Sequence, residues 1–186
     1  MLVFLDFEAS SLGKHSYPIE VGWVFEDGRA QSFLIRPAPG WTDWDGQAEA
    51  IHGIARATLI AEGTAHDEVA ERMIAALDGH DCRASAPSWD GKWLSVLLRA
   101  AGLPRHSLRL GDSDDAHRQA AEAILAPILP AAGLQAAVAE ALALGEVRAP
   151  DEPPAHRALA DAREERQRWL RVQAIAHSIA RRAVHG

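Results

Sequence analysis

The sequence predicts an α/β domain in which helices pack on a mixed β-sheet. Three observations carry this: a β-rich first third folded back by an Asp-Gly turn, an alternation of strand and helix patterns after it, and helices to the end of the chain. The 186 residues are one domain's worth of chain, long enough to bury a full core. The reading is a single domain over residues 1–183 with a frayed tail at 184–186.

Leu2 to Phe7 is apolar on both faces until the acids begin, which suits a central strand. Ile19 to Phe25 and Gln31 to Ile35 flank Glu26-Asp27-Gly28, and Asp-Gly between apolar runs signals a hairpin, so three antiparallel strands open the chain. Beyond the Pro37 to Gly40 turn, Thr64 is placed to cap a helix carrying Val69, Met73, Ile74 and Leu77 at helical spacing and ended by Gly79. Cys82 to Ala86 then reads as a strand, Trp89 to Ala101 as a helix with Trp93, Val96 and Leu97 inward, and Ser107 to Leu110 as a short strand. The Ala-rich run from Ala123 to Gly145, interrupted by Pro127, Pro130, Gln135 and Glu140, reads as buried helix rather than a membrane span. A long helix from about Ala158 to Arg181 follows, whose apolar positions Trp169, Val172, Ile175 and Ile179 suit either inward packing or a homodimer interface.

Asp plus Glu number 26 against 19 Lys plus Arg, a net charge of -7, which excludes a protein that holds nucleic acid by blanketing its phosphates. All the basic residues except Lys14 and Lys92 are Arg. The single Cys82 permits neither an internal disulfide nor a thiolate zinc cluster, and the amino terminus lacks the basic region of a signal peptide. The expectation is a cytoplasmic chain with no membrane association.

Asp6 and Glu8 stand two apart on a strand, so both carboxylates point to one side, roughly 7 Å apart along it. Such a pair repels unless a cation sits between, and hard ions such as Mg²⁺ or Mn²⁺ take oxygen ligands of this kind. The alternative is that the strand ends at Asp6 and both acids are solvated. A second site is His156-Arg157-Ala158-Leu159-Ala160-Asp161. Five residues turn an ideal helix about 140° past a full revolution, so His156 and Asp161 converge only if His156 lies before the helix. Pro153 and Pro154 favour that, placing the helix start near Ala155 to Ala158. Asp90 falls at a strand-to-helix junction, where an acid is favoured by the helix dipole alone.

Taken together, Asp6-x-Glu8, Asp90 ahead of an apolar helix, and His156-x4-Asp161 resemble the three Exo motifs of the DEDDh (DnaQ-like) family of 3'-5' exonucleases. Pro18-Ile19-Glu20-Val21-Gly22 and Ile51-His52-Gly53-Ile54 fit the same pattern, which covers nearly the whole chain. The middle motif departs from the common His-Asn-Ala-x-Phe-Asp: Ser85-Ala86-Pro87-Ser88-Trp89-Asp90 keeps only the aromatic residue and the acid.

The resemblance implies a ribonuclease H-like fold with a mixed five-stranded sheet of order 3-2-1-4-5 flanked by helices. It implies a phosphodiester hydrolase that removes 5'-mononucleotides from the 3' end of single-stranded RNA or DNA with two divalent cations, Mg²⁺ or Mn²⁺. Asp6 would bridge both ions, Glu8 and Asp161 would ligate the ion carrying the attacking water, Asp90 would hold the second, and His156 would be the general base, a role imidazole commonly takes. The substrate contacts it implies are the backbone at Phe7 and the side chains of Ala9, Ser10, Leu12, His52 and Ile54. Trp89 is the local stacking candidate, with core packing as its alternative, and Trp93 is a core residue. Trp41 and Trp44 are either a lid or an anchor for their loop. Lys14, Arg56, Lys92 and Arg157 are either phosphate contacts or exposed solubilising charge.

Two other readings stand beside this one. A phosphodiesterase of dinucleotides or modified nucleotide ends would use the same fold with little dependence on chain length. A non-catalytic nucleic-acid-binding module would have lost metal acids, whereas all four are present.

Overall fold

The computed structural model describes residues 1–146 and 156–185. Pro153, Pro154 and Ala155, invoked above for the last helix start, and Gly186 of the expected tail lie outside the described residues. The chain forms a mixed sheet with helices on both faces.

The central strand β1 (Leu2–Ala9) pairs antiparallel with β2 (Pro18–Phe25), which pairs antiparallel with β3 (Ala30–Arg36). The β2–β3 turn closes as read, with Gly28 at φ 95° and the Asp27 carboxylate accepting from the Arg29 backbone N–H. On the other side of β1 run β5 (Asp81–Ala84) and then β6 (Leu110–Asp112), both parallel to it. These five strands have the expected order. The sheet nevertheless has six, because Thr64–Ala65 forms a short strand β4 parallel to Ile35–Arg36 at the outer edge. That pairing also corrects the helix-cap reading of Thr64: helix α3 (His66–Leu77) has Ala65 at its N-cap with no side-chain cap, and its acidic first turn, Asp67 and Glu68, suits the dipole instead.

Two short helices, α1 (Gly46–His52) and α2 (Arg56–Glu62), follow β3. Helix α4 (Pro87–Ala100) begins at its proline, which ends β5 earlier than expected. The last strand lies at Leu110–Asp112 rather than Ser107–Leu110, because the Ser107 N–H and hydroxyl are both spent on the Pro104 carbonyl in a turn. The Ala123–Gly145 run divides between α5 (Ser113–Leu125) and α6 (Ala131–Gly145), broken where Pro127 and Pro130 supply no N–H. Among the described residues no helix is long and apolar enough to cross a membrane. Helix α7 (Ala158–His185) runs past the expected 183 boundary.

Alternation along β1 assigns the two faces. Val3, Leu5 and Phe7 pack with Val69, Met73, Trp93 and Leu97 of α3 and α4. Phe4 points the other way, toward Ala116 of α5 and Ala162 of α7. Farther along α7, Val172, Ala176 and Ile179 are buried against Leu125, Val138 and Ala141, with Ile175 packed on the same cluster and Trp169 on that of Phe4. The apolar stripe of α7 is therefore spent on packing within the chain.

Candidate metal centre

Asp6 and Glu8 share the β1 face that looks toward α7, and the first turn of α7 brings Asp161 to them. One carboxylate oxygen from each lies within 4.8 Å of the other two. Asp90 arrives from the opposite face, on the first turn of α4 at the end of the sheet. Its Oδ1 accepts a hydrogen bond from the Phe7 backbone N–H at 3.2 Å, so it is tied to the residue between the two strand acids. Its other oxygen, Oδ2, is buried with no hydrogen-bond partner.

The electrostatics are unfavourable for carboxylates left to themselves. Burial, then the neighbouring charges of Asp90, Glu8, Asp161 and Glu165, pushes the Asp6 carboxyl up to about 9. Burial, then Asp161 and Glu20, raises Glu8 to about 7, with Arg157 opposing. Burial raises Asp90 to about 7 although backbone N–H groups, that of Phe7 first, favour its charged form. Half-buried carboxylates of Asp6, Glu8 and Asp161 that repel one another, with the buried and unpartnered Oδ2 of Asp90 nearby, match the hard oxygen donor set of a divalent cation.

Two β2 residues, present in the sequence pattern but given no role there, hold α7 in place. Gly22 pairs with Asp6 across the sheet, and a Cβ on it would lie 2.5 Å from Leu159 Cα and 2.7 Å from the Ala158 carbonyl carbon. Only hydrogen at this position lets the α7 backbone sit on the sheet there. Glu20, opposite Glu8 and 3% exposed, accepts from Arg157 Nε at 3.0 Å, from Arg157 Nη2 at 2.6 Å and from the Ala158 N–H at 3.0 Å. A strand carboxylate thus caps the helix that carries Asp161. His156 precedes this anchor, outside the helix as its spacing required, exposed and at φ 43°. Glu165, one turn beyond Asp161, takes the Ser113 hydroxyl at 2.6 Å and adds to the charge felt by Asp6.

Of the residues named as substrate contacts, Phe7, Ala9, Ser10, His52 and Ile54 are buried. The His52 Nδ1 accepts from the Ile54 N–H, while its buried Nε2 has no hydrogen-bond partner. Leu12 and Trp89 are exposed, at 70% and 38%. Trp89 stacks on the buried Trp93 with centroids 5.6 Å apart, and Lys92 Nζ lies 5.0 Å from its centroid. Lys92 is itself fixed by the Gly13 carbonyl and the Ser16 hydroxyl. Arg56 bonds the Trp41 carbonyl and Arg157 is clamped on Glu20, so three of the four candidate phosphate cations serve internal contacts. Trp41 stacks on Tyr17, and Trp44 donates to Glu49, which makes both anchors of their loop.

No protein-family model matches the sequence, and no curated protein matches it. Among solved structures the chain is similar to Escherichia coli exonuclease I in a zinc-bound complex with single-stranded DNA, at 17% identity and a TM-score of 0.61, over 97% of this chain and 40% of that one. It is also similar to the same enzyme with a dT13 oligonucleotide, at 16% identity and a TM-score of 0.62, over 89% of this chain and 39% of that one. A third is a moderately thermophilic exonuclease I from Methylocaldum szegediense, at 18% identity and a TM-score of 0.59, over 88% of this chain and 38% of that one. The chain spans less than half the length of these structures. At such identity the likeness is one of fold, and it is the fold that the resemblance to the DEDDh exonucleases implied.

Proposed function

We propose that this chain is a metal-dependent 3'-5' exonuclease that removes 5'-mononucleotides from the 3' end of a single nucleic-acid strand. The observation that carries the reading is the convergence of Asp6, Glu8 and Asp161 from strand and helix within 4.8 Å, with Asp90 joined through Phe7, on the fold of exonuclease I.

Asp6, Glu8 and Asp161 would hold a pair of divalent cations, Mg²⁺ or Mn²⁺, together with the free Oδ2 of Asp90. Bound there, the ions would supply Lewis-acid polarisation of the phosphate and offset the charge that builds on attacking and leaving oxygens. The remaining work belongs to the chain. His156, exposed and outside α7, accepts the proton of the attacking water and returns it to solvent. Arg157 and Glu20 fix the position from which it acts. Trp89, exposed beside Asp90, is the ring available to stack on a base at the 3' end, a contact that tolerates any sequence.

The test is hydrolysis of a 5'-labelled single strand with Mg²⁺ or Mn²⁺, using matched RNA, DNA and dinucleotide substrates. A descending ladder from the 3' end is expected, and Asp6→Ala, Asp161→Ala and His156→Ala should abolish or sharply reduce it. Undiminished activity in Asp161→Ala, or in excess EDTA, refutes the mechanism. Preference for the dinucleotide over longer strands refutes the exonuclease reading in favour of a phosphodiesterase.

A further inference from the structure

We propose that the cavity between α4 and the segment leading into β6 is a second nucleic-acid site, one that takes the phosphodiester backbone of the strand on the 5' side of the bond being cut. The proposal rests on the exonuclease reading and says where the rest of the substrate lies. The cavity has a volume of about 480 Å³. That is the size range of sites for nucleotide-sized ligands rather than for a bare ion.

Its lining is unlike the chain as a whole. Acids outnumber bases 26 to 19 overall, yet Arg105, His106 and Arg109 line this cavity and no carboxylate does. Several arginines elsewhere are committed: Arg83, Arg157, Arg168 and Arg171 each pair with a carboxylate. Among the described residues neither Arg105 nor Arg109 makes an ion pair, and the bond that Arg105 does make, from Nε to the His106 ring at 2.9 Å, holds two of the three groups together. Guanidinium groups with donors to spare present a planar fork that suits phosphate oxygens. Between them Leu94, Leu108 and Leu110 supply an apolar floor for sugar or base.

Position selects the occupant. Pro87 and Gly91 line the cavity and bracket Asp90 in the first turn of α4, the turn that carries this acid to Phe7. From there the lining follows α4 to Ser95, a rise of roughly 12 Å at about 1.5 Å per residue. A strand whose 3' end is at the carboxylates and which continues along α4 enters the cavity at Pro87 and Gly91, and reaches the arginines toward its Leu110 end, which is level with Val3. An acidic centre cannot by itself grip a polyanion, so cations outside it are what a strand of several nucleotides requires. An acidic peptide shares the charge of the strand but has no reason to be placed beside Asp90.

The test measures fluorescence anisotropy of labelled single strands of about 4 and about 20 nucleotides, lengths that bracket the footprint of small single-strand binders. It is run in an Asp161→Asn background with Mg²⁺, so that the strand survives. Arg105→Ala/Arg109→Ala is expected to raise Kd for the long strand about tenfold, and to flatten the dependence of log Kd on log salt by about 1.4, the value for two phosphate contacts. The short strand should be affected much less. A charge-matched control at distant exposed arginines, Arg29→Ala/Arg72→Ala, should change neither quantity. Both pocket arginines are exposed, and melting curves will show that the variants fold. Equal affinity and equal salt slope in the pocket variant, in a chain that does degrade strands, overturn this site and leave the exonuclease reading intact. Loss of binding to an acidic peptide, with strand binding unchanged, overturns it in favour of a protein partner. If the unmodified chain degrades no strand at all, the exonuclease reading falls and this site with it.

Discussion

Replacing Gly22 by Ala tests whether the candidate centre depends on the seat of α7 rather than on its acids alone. The added methyl would stand 2.5 Å from Leu159 Cα and 2.7 Å from the Ala158 carbonyl carbon, where ordinary contact begins at 3.4 Å. The obstacle is helix backbone, which cannot rotate away, so the start of α7 must lift by about 1 Å to reach ordinary contact. Asp161 lies three residues beyond Ala158 on the same rigid turn and moves with it. Overpacking of this kind costs about 1 to 3 kcal/mol of stability. For the chemistry the displacement matters more, since a misplacement of about 1 Å reduces rates about 100-fold. The assay is strand hydrolysis at saturating Mg²⁺ alongside a thermal melt. The expected result is a folded protein with a moderately lowered Tm and a kcat reduced by about two orders of magnitude. A Gly22→Ala protein with unreduced kcat would refute the reasoning, because the helix would then carry no positional information to Asp161.

Two further predictions follow from the same geometry. Asp6, Glu8 and Asp90 have folded pKa values of about 9, 7 and 7 against ordinary values of 3.8, 4.5 and 3.8, so between these limits the folded state keeps protons that the unfolded state has lost. Stability must then fall as pH rises from about 4 through 7 toward 9. The Tm in EDTA should drop across that range, and Mg²⁺ or Mn²⁺ should raise it most at the alkaline end; a metal-induced shift that does not grow with pH contradicts the site. For the clamp, Glu20→Gln and Arg157→Ala should each destabilise by about 1 to 3 kcal/mol, with a favourable coupling in the double-mutant cycle. Each should also lower kcat, since His156 and the start of α7 hang from this pair. Additive melts with unchanged kcat would show the clamp to be ornamental.

The parts of the fold that were legible in the sequence are those whose information is local. Alternation over Leu2 to Phe7 and the Asp27-Gly28 turn place three strands, and i, i+2 spacing alone puts Asp6 and Glu8 on one face. Helices α1 and α2 were not legible, because seven residues hold too few turns to show a periodicity. Thr64 misled for a related reason: a hydroxyl ahead of an apolar helix has the pattern of a cap, and nothing local reveals that its backbone pairs with Ile35. His156 before its helix was inferred from the angle that five residues subtend, which is again a local argument.

What the sequence pattern contained without meaning was the set of contacts across long separations. Glu20 lies 137 residues from Arg157, and Asp90 lies 83 residues from Phe7. Each is unremarkable in its own neighbourhood, a strand acid and a helix-start acid. Only the closed fold makes one a helix cap and the other a buried carboxylate with a free oxygen. The net charge is subject to the same logic. A sum of -7 describes how the chain as a whole would meet a polyanion, but on the proposed function the contact falls at two small places. At one of them Asp6 is held where it resists ionisation, so cations that neutralise the cluster would both relieve the fold and reverse the field that a phosphate meets. At the other, Arg105 and Arg109 face a cavity with no acid in its lining. An acidic chain of this construction should therefore bind nucleic acid weakly without divalent ions and with a shallow salt dependence, because few phosphates are held. Strong metal-free binding with the steep salt dependence of a basic protein would mean that the strand lies elsewhere on the surface.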